Sequence, residues 1–268
     1  MPYDPSPIDE IEVMPLSGLY SSGPWQTELA HDRDRHLLVW ITRGQGRVLL
    51  NGARRGFSSH NALFIPAGNL FALDVGRGTL GQVMLVPASN AISLPHQAQH
   101  LRISDPTEQA SLTSLLEVMR REQSKNEALW HRAMQAYGEL VGILLQRQTS
   151  RITPQPARRS AAKRLSLAYC SRISQFHREN ISMADHATAL GVTATHLTRV
   201  VKAETGTTAA SLLTERQLYA AHRLLIESDM PIQNVAAELN FRSAAYFTRF
   251  ITMHTKRTPS ALRKQSRT

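Results

Sequence analysis

Short apolar runs broken by glycine fill the first third of the chain, and apolar stripes at helical spacing fill the rest. Leu37-Leu38-Val39-Trp40-Ile41-Thr42 is a run of strand formers closed by Arg43-Gly44-Gln45-Gly46. Arg47-Val48-Leu49-Leu50 follows and stops at Asn51-Gly52, a turn dipeptide that accepts positive φ. Residues 62–65, 71–75 and 82–86 complete a set of short strands at roughly even spacing, the pattern of a small antiparallel barrel or sandwich. Ahead of them residues 1–24 carry Pro2, Pro5, Pro7, Pro15 and Pro24 without periodicity and read as an arm.

Beyond Asp105 the period changes. Asp105-Pro106-Thr107-Glu108 has an N-cap, a proline at the first helical position and a Glu three residues after the cap. Leu112, Leu115, Leu116 and Met119 follow on one helical stripe. A second helix is predicted from about Asn126, with Trp130, Ala133, Tyr137, Leu140, Val141 and Leu144 apolar. Two such helices are suited to cover the barrel or to pair with a second subunit. Residues 152–159, with Pro154 and Pro156, have linker composition. The expected map is an arm over 1–24, a barrel over 25–104, connecting helices over 105–149, a linker over 150–160 and a helical domain over 161–268.

That last domain reads as a succession of helices. The first presents Leu165, Tyr169, Ile173 and Phe176 along one side. Ser182 caps a short helix through Ala184, Ala187 and Leu190 that ends at Gly191, and Thr193 caps a new one two residues later. A short helix, a glycine-bearing turn and a capped second helix is the helix-turn-helix layout. Leu197, Val200 and Val201 form the buried stripe of the second helix, leaving Thr195, His196, Thr198, Arg199 and Lys202 for a major groove. The arrangement recurs. Ile232, Val235, Ala236 and Leu239 precede the turn Asn240-Phe241-Arg242, and Ser243 caps a helix running to about His254. There Phe247, Phe250 and Ile251 point inward, while Arg242, Ala244, Ala245, Thr248 and Arg249 are the groove candidates. Between the units residues 208–228 read as one helix. About 20 residues at 1.5 Å rise span ~30 Å, close to the ~34 Å repeat of DNA, so two recognition helices could enter successive major grooves on one face.

Charge sharpens this picture. Of 31 Lys+Arg and 21 Asp+Glu, 14 of each fall in residues 1–155, so the whole net charge of +10 lies in residues 156–268. A neutral module joined to a basic one points to sensing or assembly coupled to a polyanion, here double-stranded DNA. The single cysteine, Cys170, excludes a disulfide framework and a multi-cysteine metal site. It falls inside a helix beside Tyr169, where core packing is the expected role. No run approaches a membrane span and the acidic N-terminus lacks the order of a signal peptide, so a soluble cytoplasmic protein without a membrane partner is expected.

The residues from about 182 to 263 resemble the AraC/XylS transcription regulators. The likeness runs through Leu190-Gly191-Val192, Leu197-x-Arg199, Lys202-x-x-Thr205-Gly206, Arg216-x-Leu218, Leu224-Leu225, Ile232-x-x-Val235-Ala236, Phe241-x-Ser243, Tyr246-Phe247-x-Arg249 and Thr258-Pro259-Ser260-x-x-Arg263. The resemblance implies sequence-specific binding to promoter half-sites, activation through RNA polymerase, and Thr195, Thr198 and Arg199 as base-facing positions. Arg249 is left between base, phosphate and a brace of the fold. Asn240 replaces a usual glycine, which αL-tolerant Asn allows. Thr252 and Lys256 replace a usual Lys and Gly, and Ala244 and Ala245 offer no hydrogen bonds, so the second unit is expected to read methyl groups or shape.

The barrel is similar to the cupin-like sensor domain of the same regulators through residues 36–46 and 64–68. The fold expected is therefore α+β: an antiparallel cupin-like barrel, two helices and an all-α double helix-turn-helix domain. Cupin enzymes hold a metal with two His one residue apart, a nearby Glu and a later His. Here His36 stands alone and Phe71 or Leu73 occupies the later position, so no metal, cofactor or catalytic residue is expected. His96 and His100 read as a solvated connector, Gly44-Gln45-Gly46 lacks the third glycine of a dinucleotide loop, and no nucleophile elbow occurs. A barrel lined by Leu38, Trp40, Val48 and Phe64, with His36 or Arg47 fixing a polar end, is suited to a small apolar or aromatic effector. His31 is either a second polar contact or a hydrogen-bonded core histidine. The reading is a homodimeric, effector-responsive activator. The alternatives are a metal-free cupin-type enzyme with a basic localising tail and a constitutive DNA-binding protein without effector.

Overall fold

A computed structural model describes residues 10–151, 160–179 and 181–265. Two antiparallel sheets face each other in the N-terminal half. The larger runs in the order β1 (Glu12–Pro15), β7 (Leu80–Pro87), β2 (Arg35–Arg43), β5 (Asn61–Ile65) and β8 (Gln99–Arg102). The smaller has β3 (Gln45–Leu50) between β4 (Ala53–Ser58) and β6 (Ala72–Val75). The expected antiparallel β fold is present, its two facing sheets not closing into one continuous barrel. Alternation of side chains is the same in both forms, and closure depends on edge pairing that alternation does not encode.

Strand β2 is apolar on both faces because it serves two cores. Leu37, Val39 and Ile41 meet Val48, Phe57, Leu63, Leu73 and Leu85 between the sheets. Leu38 and Trp40 point the other way and, with Phe64 and Met84, pack on helices α2 (Pro106–Lys125) and α3 (Trp130–Arg151) through Leu112, Leu116, Met119, Val141 and Leu145. Asp105 caps α2 by accepting from the Thr107 amide at 2.8 Å, with Pro106 at the first position. Asn126 adopts φ 50° and ends α2, so the following helix starts at Trp130 rather than near Asn126. The region read as an arm holds β1, a 3-10 turn over Leu16–Tyr20 and a four-residue helix, α1 (Trp25–Glu28). Such short pieces carry no period of their own. The first is fixed by pairing with β7, some 70 positions away by the Glu12–Leu85 register.

The C-terminal half is all helical: α4 (Ala161–Phe176), α5 (Met183–Ala189), α6 (Ala194–Thr205), α7 (Ala209–Glu227), α8 (Ile232–Glu238), α9 (Ala244–Thr255) and α10 (Pro259–Gln265). One core gathers Tyr169, Cys170, Ile173, Ala187, Leu197, Val201 and Leu212; a second gathers Leu218, Ala221, Leu225, Val235, Phe247 and Ile251. Burial pushes the Cys170 thiol up to about 12, which makes it an inert packing group. The first core continues into the smaller sheet through Leu49 and Ala72. Gly52, at φ 69°, presses on the backbone of α4, where a Cβ would lie 2.6 Å from the Leu167 nitrogen, and the Ser166 hydroxyl donates to the Gly52 carbonyl at 2.6 Å. The expected linker stretch 152–159 and arm residues 1–9 lie outside the described residues. Among the described residues no helix is long and apolar enough to cross a membrane.

Candidate nucleic-acid interface

Each helix-turn-helix unit is built from local signals. Ser182 caps α5 by accepting from the Asp185 amide at 3.2 Å, and the chain turns at Gly191 with φ 70°. Thr193 then accepts from the His196 amide at 3.2 Å and starts α6. Leu197, Val200 and Val201 are buried, whereas Thr195, His196, Arg199 and Lys202 are exposed and Thr198 half-buried. The Arg199 guanidinium lies 3.1 Å from His196 Nδ1, so two of these side chains present one polar surface.

The second unit repeats the construction with different residues. Asn240 takes the left-handed turn at φ 57°, and Ser243 caps α9 by accepting from the Tyr246 amide at 3.1 Å. Phe247 and Ile251 are buried; Arg242, Ala245 and Arg249 are exposed, with Ala244 and Thr248 half-buried. Lys256 closes α9 at φ 60° where glycine is the usual residue, and its Nζ donates to the Met253 carbonyl at 3.0 Å. Tyr246 and Met253 share the exposed stripe, at 52% and 67% exposure. Neither is among the expected groove residues, although Tyr246 belongs to the family likeness; Tyr246 stands three residues before Arg249 and Met253 four after it, and that helical spacing was the available signal.

Helix α7 connects the units, and its 19 residues extend ~28 Å at 1.5 Å rise. Arg178, two residues beyond α4, pairs with Glu238 of α8 at 2.8 Å, a second link between the units. Arg172 Nε donates to His186 Nδ1 at 3.1 Å inside the first unit, and burial together with Arg172 lowers the His186 pKa, keeping the ring neutral.

The effector candidates do not converge. His36 accepts from the Ala67 amide at 3.1 Å, its pKa lowered by burial, and its ring lies 6.0 Å from Phe64. Leu38, Trp40 and Phe64 face α2 and α3 rather than the space between the sheets, and the Trp40 indole donates to Thr113 at 3.0 Å. Val48 alone of the expected lining residues faces that space. Arg47 is exposed in register with Gly56 and Asp74 on the outer face of the smaller sheet. A strand apolar on both faces gives no parity signal, which is why the inward set was misassigned to even positions. Among the described residues no group of three His, Cys, Asp or Glu is placed to hold a metal ion.

The fold and its paired capped helices define a double helix-turn-helix DNA-binding protein. Residues 186–265 match the family described as Helix-turn-helix domain. The chain is similar to the probable transcription factor PqrA of Proteus vulgaris, 34% identical over 86 residues, covering 32% of this chain and 70% of that protein. It is similar also to the HTH-type transcriptional regulator ExsA of Pseudomonas aeruginosa, 28% identical over 117 residues, where the match spans 42% of each chain. Among solved structures, ToxT of Vibrio cholerae superposes with a TM-score of 0.42 and 10% identity over 93% of this chain and 94% of that one. The chain belongs to the AraC/XylS family of DNA-binding transcription regulators.

Proposed function

We propose that the chain is a sequence-specific transcription activator whose N-terminal sandwich senses a small molecule. The observation that carries the DNA reading is the pair of recognition helices, α6 and α9, each capped, each exposing arginine, and joined by one helix of groove-matching length. Thr195, His196, Thr198, Arg199 and Lys202 are assigned to one half-site, and Arg242, Ala244, Ala245, Thr248 and Arg249 to the next, with Arg or Lys reading guanine and the alanines meeting thymine methyls. The proposed organisation keeps the sandwich as sensor, α2 and α3 as dimer helices and α4 to α10 as the DNA-binding domain.

The effector is assigned to the sandwich. Leu38, Trp40 and Phe64 border the seam with α2 and α3, with the His36 ring 6.0 Å from Phe64, so occupancy there would be felt directly by the helices proposed to pair two subunits. Arg47, on the far sheet, takes no part in that seam. Effector binding shifts the population between module arrangements and thereby the half-sites a dimer can span. Contact with RNA polymerase is part of the activator reading. No catalytic role is proposed.

Selection of bound sequences from random duplexes tests the function. At a fixed 0.15 M salt the full chain is expected to prefer its selected sequence over random DNA by about 10³-fold or more. A ratio near one would reduce the protein to a non-specific polycation binder. Melting-temperature shifts with a panel of small aromatic and aliphatic acids, alcohols and amines test the effector; a shift whose ligand also changes DNA affinity supports it, and a panel without any such shift argues for a constitutive regulator.

A further inference from the structure

Residues 25–33 lie between the two modules, and their contacts fall along α7. The strap is held to the sandwich by a reciprocal backbone pair, His31 to Phe71 at 2.9 Å and Phe71 to His31 at 2.8 Å. From there it meets α7 in four places. Trp25 stacks on His222 at 4.8 Å, and the His31 ring lies flat on Tyr219 at 3.9 Å with the Phe71 ring tilted against it at 4.3 Å. The Ala30 amide donates to Glu215 at 3.3 Å, and Asp32 accepts from Arg216 Nε at 2.6 Å. Glu215, Arg216, Tyr219 and His222 occupy one stripe of α7, at intervals of one, four and seven residues.

The apolar positions of α7 are committed to the two cores. Ala209 and Leu212 enter the core of the first unit, and Leu218, Ala221 and Leu225 that of the second. The strap reaches both: Ala30 enters the core of one helix-turn-helix unit and its neighbour Leu29 packs against the core of the other. Arg199, Lys202, Arg242 and Arg249 remain exposed with the strap in place.

We infer that this strap is a positioning element for DNA recognition, with Asp32 and His31 as its positioning residues. It braces α7 and the two units on it, and so fixes the distance and rotation between α6 and α9. The inference rests on the DNA-binding reading above. It makes the sensor module part of the ruler that measures the interval between half-sites, and it gives the sensor a direct route to that interval.

The interval is what the test reads. Full-length chain is used to select duplexes from a pool with a random window, and the two halves of the enriched site are then moved apart by one, two and three inserted base pairs. Each inserted pair rotates one half-site by about 34° against the other. Wild type is expected to lose about tenfold in affinity by the second insertion. Asp32→Ala is expected to bind the best spacing several-fold more weakly, to lose less than about threefold over the same insertions, and to bind a single half-site as wild type does. Asp32→Asn, which keeps an acceptor for Arg216, is expected to fall between them. Circular dichroism melts of both variants show that the fold is retained. A spacing profile identical to wild type in a folded Asp32→Ala would overturn the inference, as would tighter binding at every spacing, which would make the strap an inhibitor. If wild type enriches no two-part sequence, the DNA-recognition reading fails along with it.

Discussion

Arg199 stands on the exposed side of α6 with its guanidinium against His196, where a bidentate contact to a guanine edge is geometrically open. Arg199→Ala is expected to cost ~1–3 kcal/mol of binding and to relax preference at one position of the site. Equal losses on every sequence in a binding titration would reassign the residue to phosphate. Histidines make a second residue-scale expectation. His177 and His222 are lowered by burial to about 4, and His31 is lowered well below its usual value by burial and by Arg33. For His31 the bonds agree: Arg33 Nε donates to its Nε2, and its Nδ1 donates to the Leu29 carbonyl. All three are neutral in the fold, whereas the unfolded chain takes up protons near pH 6.5. Their contribution is therefore complete above about pH 6.5 and is lost as pH falls toward 4, with a slope of up to ~1.4 kcal/mol per pH unit for each ring. Urea midpoints between pH 7.5 and 5 check this, and His222→Phe, which keeps a ring for Trp25, is expected to flatten the slope by one proton. Single residues were legible in the sequence where the chemistry is local. Thr193, Ser243 and Asp105 cap because a short side-chain acceptor sits next to free amides, and Asn240 turns because it tolerates positive φ. Leu38, Trp40 and Phe64 were misplaced because their facing is decided by which layer lies behind the sheet.

At the scale of elements, α3 turns Met134, Val141 and Leu145 to the sheet and leaves Leu140 about half exposed beside the partly buried Tyr137 and Leu144. Leu116, by contrast, is fully buried against the sandwich, so its replacement would damage the fold rather than report on assembly. Leu140→Arg is the better probe of the proposed dimer. Light scattering is expected to give a dimer mass for wild type and a monomer mass for a folded Leu140→Arg; a monomer in both would remove α3 from the account. The long helices were legible because each repeats its apolar stripe over several turns, and α2, α4, α6 and α7 also begin with a side-chain cap. Strands β1 and β8 and helix α1 were not, being four residues long and, for the strands, held by distant partners such as Met84 for Val13 and Ala62 for Leu101; β4, paired to β3 across the Asn51-Gly52 turn, was hidden because Arg54, Arg55 and Gly56 break its apolar pattern.

For the whole molecule, the sequence divided the chain by charge into a neutral and a basic half; the two sheets fall in the first and the paired helix-turn-helix units in the second. That division did not foretell that the two halves share cores. The smaller sheet is continuous with the first unit through Leu49 and Ala72, and the Asp32–Arg216 pair crosses the seam with Arg216 nearly buried. A cation in such a place is stable only with its partner, so parting the modules exposes or strands it. Docking on this scale depends on surfaces that no local pattern announces. The central claim, that α6 and α9 enter successive grooves on one face of the duplex, is tested most directly by methylation interference of the full chain on its selected DNA. Two clusters of interfering guanines about 10–10.5 base pairs apart on one face are expected. A single cluster, or interference that follows no sequence, would contradict it.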